Sequence, residues 1–254
     1  TPDIGDLEAR RVAEAIASGF VSSVGPNVSL FEEMFADYVG AAHAVACSSG
    51  TAALHVAMRL AGVVPGDRVV VSDFTFIASA NAVGYQFAHL TLVDSSAETW
   101  CMDPVLLEAE LERMVREGEP LPKAIELVHI LGQPGPAREV RALADRYGIF
   151  LIEDAAEALG ATIDVDGVPR SVGTFGDVSA FSFNGNKIMT TGGGGMLVTD
   201  DPELARRAKH LTTQARVADA GYLHDEIGFN YRLTNVAAAL GVAQLERLPA
   251  FVDA

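Results

Sequence analysis

Lys187 lies in the run FSFNGNKIMTTGGGG, Phe181 to Gly195, where a lone lysine among apolar residues leads into four consecutive glycines. The pattern places it in a short apolar strand. A lysine so surrounded loses its proton more readily than one in water, which suits it to attack a carbonyl and hold it as a Schiff base. Three other patches offer complementary chemistry. Ser49-Gly50-Thr51 stands where a strand passes into a helix, so that free N–H groups and the positive end of the helix dipole face an anion such as phosphate. Serine and threonine are also ordinary helix caps, so a purely structural role stands beside that one. Asp154 comes at the carboxyl end of the strand Ile149–Glu153, where open α/β sheets bind ligands, with an N-cap role as the alternative. Glu153 and Asp154 together suggest a metal pair, but no nearby histidine completes a ligand set, and no metal is expected. Phe74 and Phe76 follow the strand Arg68–Ser72, where an aromatic either stacks on a planar ring or packs into the core.

A Schiff-base lysine, an acid for a pyridinium nitrogen, a phosphate cradle and an aromatic cover are together the requirements of pyridoxal 5'-phosphate. The order Thr51, Phe76, Asp154, Lys187 supplies all four.

Positioning them requires an alternation of strands and helices, and the chain shows one almost end to end: an α/β protein with a mainly parallel sheet and helices on both faces. Strands are expected at Ala42–Cys47, Arg68–Ser72, Leu90–Asp94, Ala124–His129, Ile149–Glu153, Val178–Phe183 and Met196–Thr199. Helices are expected at Asp6–Ser18, at Ser29–Tyr38 with a Ser29/Glu32 capping box, after Ser48–Thr51, and at Thr75–Gln86, Pro104–Glu117, Ala137–Tyr147, Pro202–Leu211 and Thr234–Leu248. The last ends at Pro249, and no domain boundary is expected before about residue 245. His129 ends a strand beside Gln133 and either lines the pocket or is a hydrogen-bonded structural histidine. Gly192–Gly195 read as a turn with positive φ and close backbone approach, with phosphate binding as the alternative.

A formal charge of -16 with no basic run argues against nucleic-acid partners. Cys47 and Cys101 form no CxxC pair and read as buried thiols of a reducing, cytoplasmic setting. No basic-then-apolar leader and no apolar stretch of about 18 residues is present, so neither export nor a membrane is expected.

The ordered blocks SSGTAAL (Ser48–Leu54), DFTFIASAN (Asp73–Asn81), VDSSAETWCMDP (Val93–Pro104), HILGQP (His129–Pro134), EDAAEALGA (Glu153–Ala161), FSFNGNKIMTTGGGGM (Phe181–Met196) and GFNYRLTNVAAALG (Gly228–Gly241) resemble the DegT/DnrJ/EryC1/StrS family of sugar aminotransferases. The wording around Lys187 and Asp154 most resembles nucleotide-sugar 4-aminotransferases of the perosamine and legionaminic-acid type. The resemblance implies the large, cofactor-binding domain of a fold type I pyridoxal-phosphate transferase over 1–248, with 249–254 as the start of a smaller C-terminal domain. Lys187 would hold the cofactor and shuttle a proton, Asp154 would pair with the ring nitrogen, and Phe76 would stack on the ring. Gly50, Thr51 and Ser182 would bind the phosphate, and Asn230 would reach the phosphate of the other subunit in a homodimer. Glu157 stands where many relatives carry His or Gln, and a carboxylate there would repel the cofactor's phenolic oxygen unless protonated or turned away.

The implied reaction moves an amino group from an amino acid, L-glutamate by resemblance, to a keto group of a nucleotide-linked deoxysugar at C4. Sugar dehydration on the same scaffold uses His in place of the lysine, and Lys187 argues against it. A non-catalytic regulator on this fold is the other alternative, and the acidic charge argues against DNA binding.

Overall fold

The computed structural model describes residues 2–217 and 221–254. Eight helices and nine strands are seen among them: α1 (Asp6–Ala17), α2 (Pro26–Val39), β1 (His43–Cys47), α3 (Gly50–Leu60), β2 (Arg68–Ser72), α4 (Ile77–Gly84), β3 (His89–Val93), α5 (Pro104–Glu117), β4 (Ala124–Val128), α6 (Ala137–Tyr147), β5 (Phe150–Asp154), β6 (Thr162–Val165), β7 (Val168–Ser171), β8 (Val178–Ser182), β9 (Gly195–Thr199), α7 (Pro202–Thr212) and α8 (Asn235–Val252). Seven strands form one sheet in the order β1-β9-β8-β5-β4-β2-β3. Its neighbours pair in parallel from β8 through β5, β4 and β2 to β3, whereas β9 runs antiparallel to both β8 and β1. The expected α/β class with a mainly parallel sheet is the observed one.

Helices α3, α4 and α7 cover one face, packing residues such as Leu54, Val83 and Leu211 on Val71 and Ile152. On the other face, α2 and α8 enclose an aromatic cluster of Phe31, Phe35, Phe181 and Phe183, with ring centroids 5.1–6.1 Å apart in edge or tilted geometry. Beside it, α5 and α6 bury Leu107, Leu111, Val140 and Ala144 against Ile125 and Leu151. Each valine, leucine, isoleucine or phenylalanine among them, fully withdrawn from water, contributes about 1.5–3 kcal/mol. Capping sharpens the helix starts: Asp103 accepts from the Val105 and Leu106 N–H groups, and Asp201 from those of Glu203 and Leu204, with Pro104 and Pro202 at the first turn.

Three local expectations are corrected, and one hairpin is added. Lys187 lies in a turn after β8, because Phe183 leaves the sheet and its carbonyl receives the Thr191 N–H instead of a strand partner. Helix α2 begins at Pro26, and Glu32 makes no capping box: its carboxylate accepts from the Ala46 N–H and from Lys209 Nζ. Helix α8 runs through Pro249 to Val252, past the expected helix end at Leu248. The β6–β7 hairpin, closed at Asp166 (φ +55°) and Gly167 (φ +86°), was not anticipated.

No helix among the described residues is long and apolar enough to cross a membrane. Cys47 and Cys101 are buried and free, and burial pushes the Cys47 thiol up to about 12, which keeps it inert.

Candidate active site

One cleft opens at the carboxyl ends of the parallel strands. It is lined by Gly50, Thr51, Phe76, Asp154, Ser182 and Lys187, so six of the seven expected site residues converge. Asn230 does not line it; its backbone bridges to Thr213.

The floor of the cleft is the turn from β1 into α3. Ser49 Oγ accepts from the Ala52 N–H, and the Ser49 carbonyl accepts from the Ala53 N–H. The Gly50 and Thr51 N–H groups are left without an acceptor among the described residues, at the positive end of an 11-residue helix. The capping role considered for this motif is therefore made by Ser49, and the next two amides are left free. Gly195 makes the turn's position possible: a Cβ there would lie 2.5 Å from the Ser49 carbonyl carbon. Gly192, at φ +80°, bends the chain towards it. The glycine run thus serves backbone accommodation, although Gly193 and Gly194 also line the cleft.

Asp154, at the end of β5, is 5% exposed. One carboxylate oxygen accepts from Ser79 Oγ at 2.8 Å and the other from the Ala156 N–H at 3.1 Å. Burial pushes its carboxyl above the usual aspartate range, against the pull of Ser79, the Ala156 N–H and the positive charge of Lys187. With two donors for its several lone pairs, it has acceptor capacity left for a ring N–H.

Lys187 Nζ donates to Glu157 Oε1 at 3.0 Å, and the other Glu157 oxygen accepts from the Leu131 N–H at 2.9 Å. The lysine is therefore partnered, and Glu157 sits in a turn after β5. Phe76 stands at the mouth of the cleft, 72% exposed, while Phe74 packs edge-on against Trp100.

Behind the cleft, His129 and Glu153 form a buried pair. His129 Nδ1 accepts from the Gly135 N–H at 2.9 Å, so the ring proton sits on Nε2 and is given to Glu153 at 2.9 Å. Glu153 also accepts from the Gly173, Phe175 and Gly176 N–H groups and Ser179 Oγ. Burial alone would raise its carboxyl, but the His129 hydrogen bond and the backbone N–H groups outweigh it and hold the acid below the usual glutamate range. Both roles considered for His129 are seen: its ring nitrogens are both hydrogen-bonded, and the residue also lines the cleft. Ser79 and the Glu157 ion pair are the site features that the motifs alone did not disclose.

These residues fit pyridoxal phosphate: a lysine amine, a buried carboxylate with spare acceptor capacity, and two free amides at a helix N-terminus face one cleft.

The chain is similar to known proteins over nearly its whole length. The chain is 45% identical to EpsN of Bacillus subtilis over 99% of its own length and 64% of the relative's. It is 43% identical to the GDP-perosamine synthase of Caulobacter vibrioides over 97% of its length and 64% of that protein. A DegT DnrJ EryC1 StrS aminotransferase from Brucella abortus superposes with a TM-score of 0.90 at 32% identity, over 96% of this chain and 64% of that one. The chain thus spans about 64% of the length of these relatives. With the family model matched from residue 2 to residue 254 and the cleft built as described, the chain belongs to the DegT/DnrJ/EryC1/StrS aminotransferase family.

Proposed function

We propose that this chain forms the cofactor-binding part of a pyridoxal-phosphate aminotransferase that moves an amino group from L-glutamate to the C4 keto group of a nucleotide-linked deoxysugar. The observation that carries the reading is the convergence of Lys187, Asp154 and the free Gly50 and Thr51 amides on one cleft. The likeness to a GDP-perosamine synthase supports the nucleotide-sugar substrate.

When bound, pyridoxal phosphate supplies an electron sink for charge developing on the substrate carbon. The Gly50 and Thr51 N–H groups and Ser182 Oγ would hold the phosphate. Asp154, fixed by Ser79 and the Ala156 N–H, would keep a proton on the ring nitrogen. Phe76, at the mouth, would cover the ring and limit water. Lys187 Nζ would supply the amine that holds the cofactor and, once free, would take the proton from the donor's α-carbon and return one to the sugar carbon. Glu157 accepts a hydrogen bond from Nζ at the cleft wall.

A homodimer belongs to the same proposal, with Asn230 reaching the phosphate bound by a second copy; its position outside its own cleft supports this. The free buried cysteines fit a cytoplasmic setting.

The test is to add pyridoxal phosphate to the purified protein and record the absorbance of lysine-bound cofactor in wild type and Lys187→Ala. Incubation with glutamate and UDP-, GDP- and dTDP-4-keto sugars, followed by mass spectrometry, then identifies the acceptor. Absence of a Lys187-dependent absorbance would overturn the reading, and an amino acceptor other than a nucleotide-linked sugar would correct its substrate.

A further inference from the structure

One acid near the cleft has no part in the reaction as described. Glu126, in the middle of β4, is 0% exposed, and neither of its carboxyl oxygens meets a hydrogen-bond partner. Register pairs Val128 with Asp154 and Glu126 with Ile152. Side chains alternate along a strand, so Glu126 and Asp154 share a sheet face as diagonal neighbours, Glu126 one pleat further from the cleft.

The surroundings of Glu126 offer no compensation for a charge. From β2 its partner is Val71, from β5 Ile152, and α3 contributes Ala53, Val56 and Ala57 to the same face, all apolar. From α4 comes Ser79, whose proton is already given to Asp154 and whose second contact, at 2.7 Å, is with Thr75 Oγ1. The charge acting on Glu126 is the negative one of Asp154, whereas the Lys187 cation acts on Asp154. A carboxylate here would be buried, without a donor and beside another carboxylate; a neutral acid avoids all three costs.

We propose that Glu126 and Asp154 form a buried carboxyl pair that shares a single negative charge at neutral pH, the proton resting on Glu126, so that the charge is reserved for Asp154 at the cleft. Glu126 is then a positioning residue. Burial first, and then the Asp154 charge, drive its carboxyl well above the ordinary glutamate range, against a weak opposing effect of the Ser79 hydroxyl. Raising the pH far enough draws the second proton into solvent and places two charges beneath the site. The role assigned to Asp154 rests on the proposed function; the pair itself does not.

Infrared spectroscopy of protein labelled with carbon-13 glutamate and free of cofactor tests the pair. Wild type is expected to show the carbonyl band of a neutral glutamic acid at neutral pH, absent from Glu126→Gln. In Asp154→Asn the midpoint at which that band disappears should fall by about one pH unit or more, because the neighbouring charge is gone. No neutral-acid band at neutral pH, or the same midpoint in both proteins, would overturn the pair. If Glu126→Gln does not fold, the midpoint comparison between wild type and Asp154→Asn decides alone. With pyridoxal phosphate bound, the cofactor absorbance should show an alkaline step that Glu126→Gln removes; a step that persists would overturn the positioning role. Failure to bind the cofactor would count against the proposed function and leave the infrared result standing.

Discussion

Glu153 and Asp154 are consecutive on β5, both buried, and they point to opposite faces of the sheet into different electrostatic worlds. Glu153 is surrounded by His129 and four further donors from the 173–179 segment, which together hold its carboxyl below its usual range. Asp154 has two donors, an open side towards the cleft and a carboxyl raised by burial. An acid whose lone pairs are filled by its own chain is finished as structure. One that is desolvated but incompletely bonded is ready for a ligand, and this difference in saturation separates scaffold from site more clearly than burial does.

The two acids differ most in what their substitution removes, and Asp154 carries the larger effect. Asp154→Asn keeps the shape and removes the charge, so kcat/KM should fall by about a thousandfold, roughly 4 kcal/mol, while thermal stability is unchanged or slightly higher. An activity loss that tracks unfolding would erase the distinction. Glu153→Ala should do the reverse: it strands buried N–H groups and should cost about 3 kcal/mol in urea unfolding. His129→Ala, which removes one of the donors to Glu153 and leaves the Gly135 N–H without its acceptor, should cost about 1–2 kcal/mol by the same assay.

The subtlest difference lies in pH. Glu153 is depressed from 4.5, so its stabilisation is present above that pH and disappears as pH falls through the folded-state value. Asp154 is raised from 3.8, so the folded state binds its proton more tightly than the unfolded chain, and stability declines as pH rises from 3.8 through the elevated value. The two slopes oppose each other. Urea titrations at acidic pH should therefore show Asp154→Asn losing stability more steeply towards acid than wild type, and Glu153→Gln less steeply.

The alternation of elements and the position of Asp154 were legible because strand ends and helix starts carry local marks, such as Asp103-Pro104 and Asp201-Pro202. The cleft followed from them, since ligands of such sheets gather at the carboxyl ends of the strands. What escaped depends on distant partners. Glu32 resembles a cap locally but is used by Ala46 and Lys209. The apolar run around Lys187 imitates a strand, yet Phe183 and Met189 are buried by α2 and α8 and not by sheet pairing. The β6–β7 hairpin is short and its second strand is largely exposed, so it has no strong apolar alternation to reveal it. The division of labour between Glu153 and Asp154 could not be seen either, because the donors around Glu153 are backbone groups that side-chain identity does not announce.

The antiparallel placement of β9 bears on how the protein is made. β1 pairs in the sheet with β9 alone, and Gly195 is the residue against which the Ser49–Gly50 turn rests. The Ser49–Gly50 turn, encoded early, thus waits for the last strand of the sheet to leave the ribosome. Closing that long loop makes this edge a late event in folding, and a nascent chain halted before Gly195 would hold β2 to β5 and β8 with β1 still unpaired.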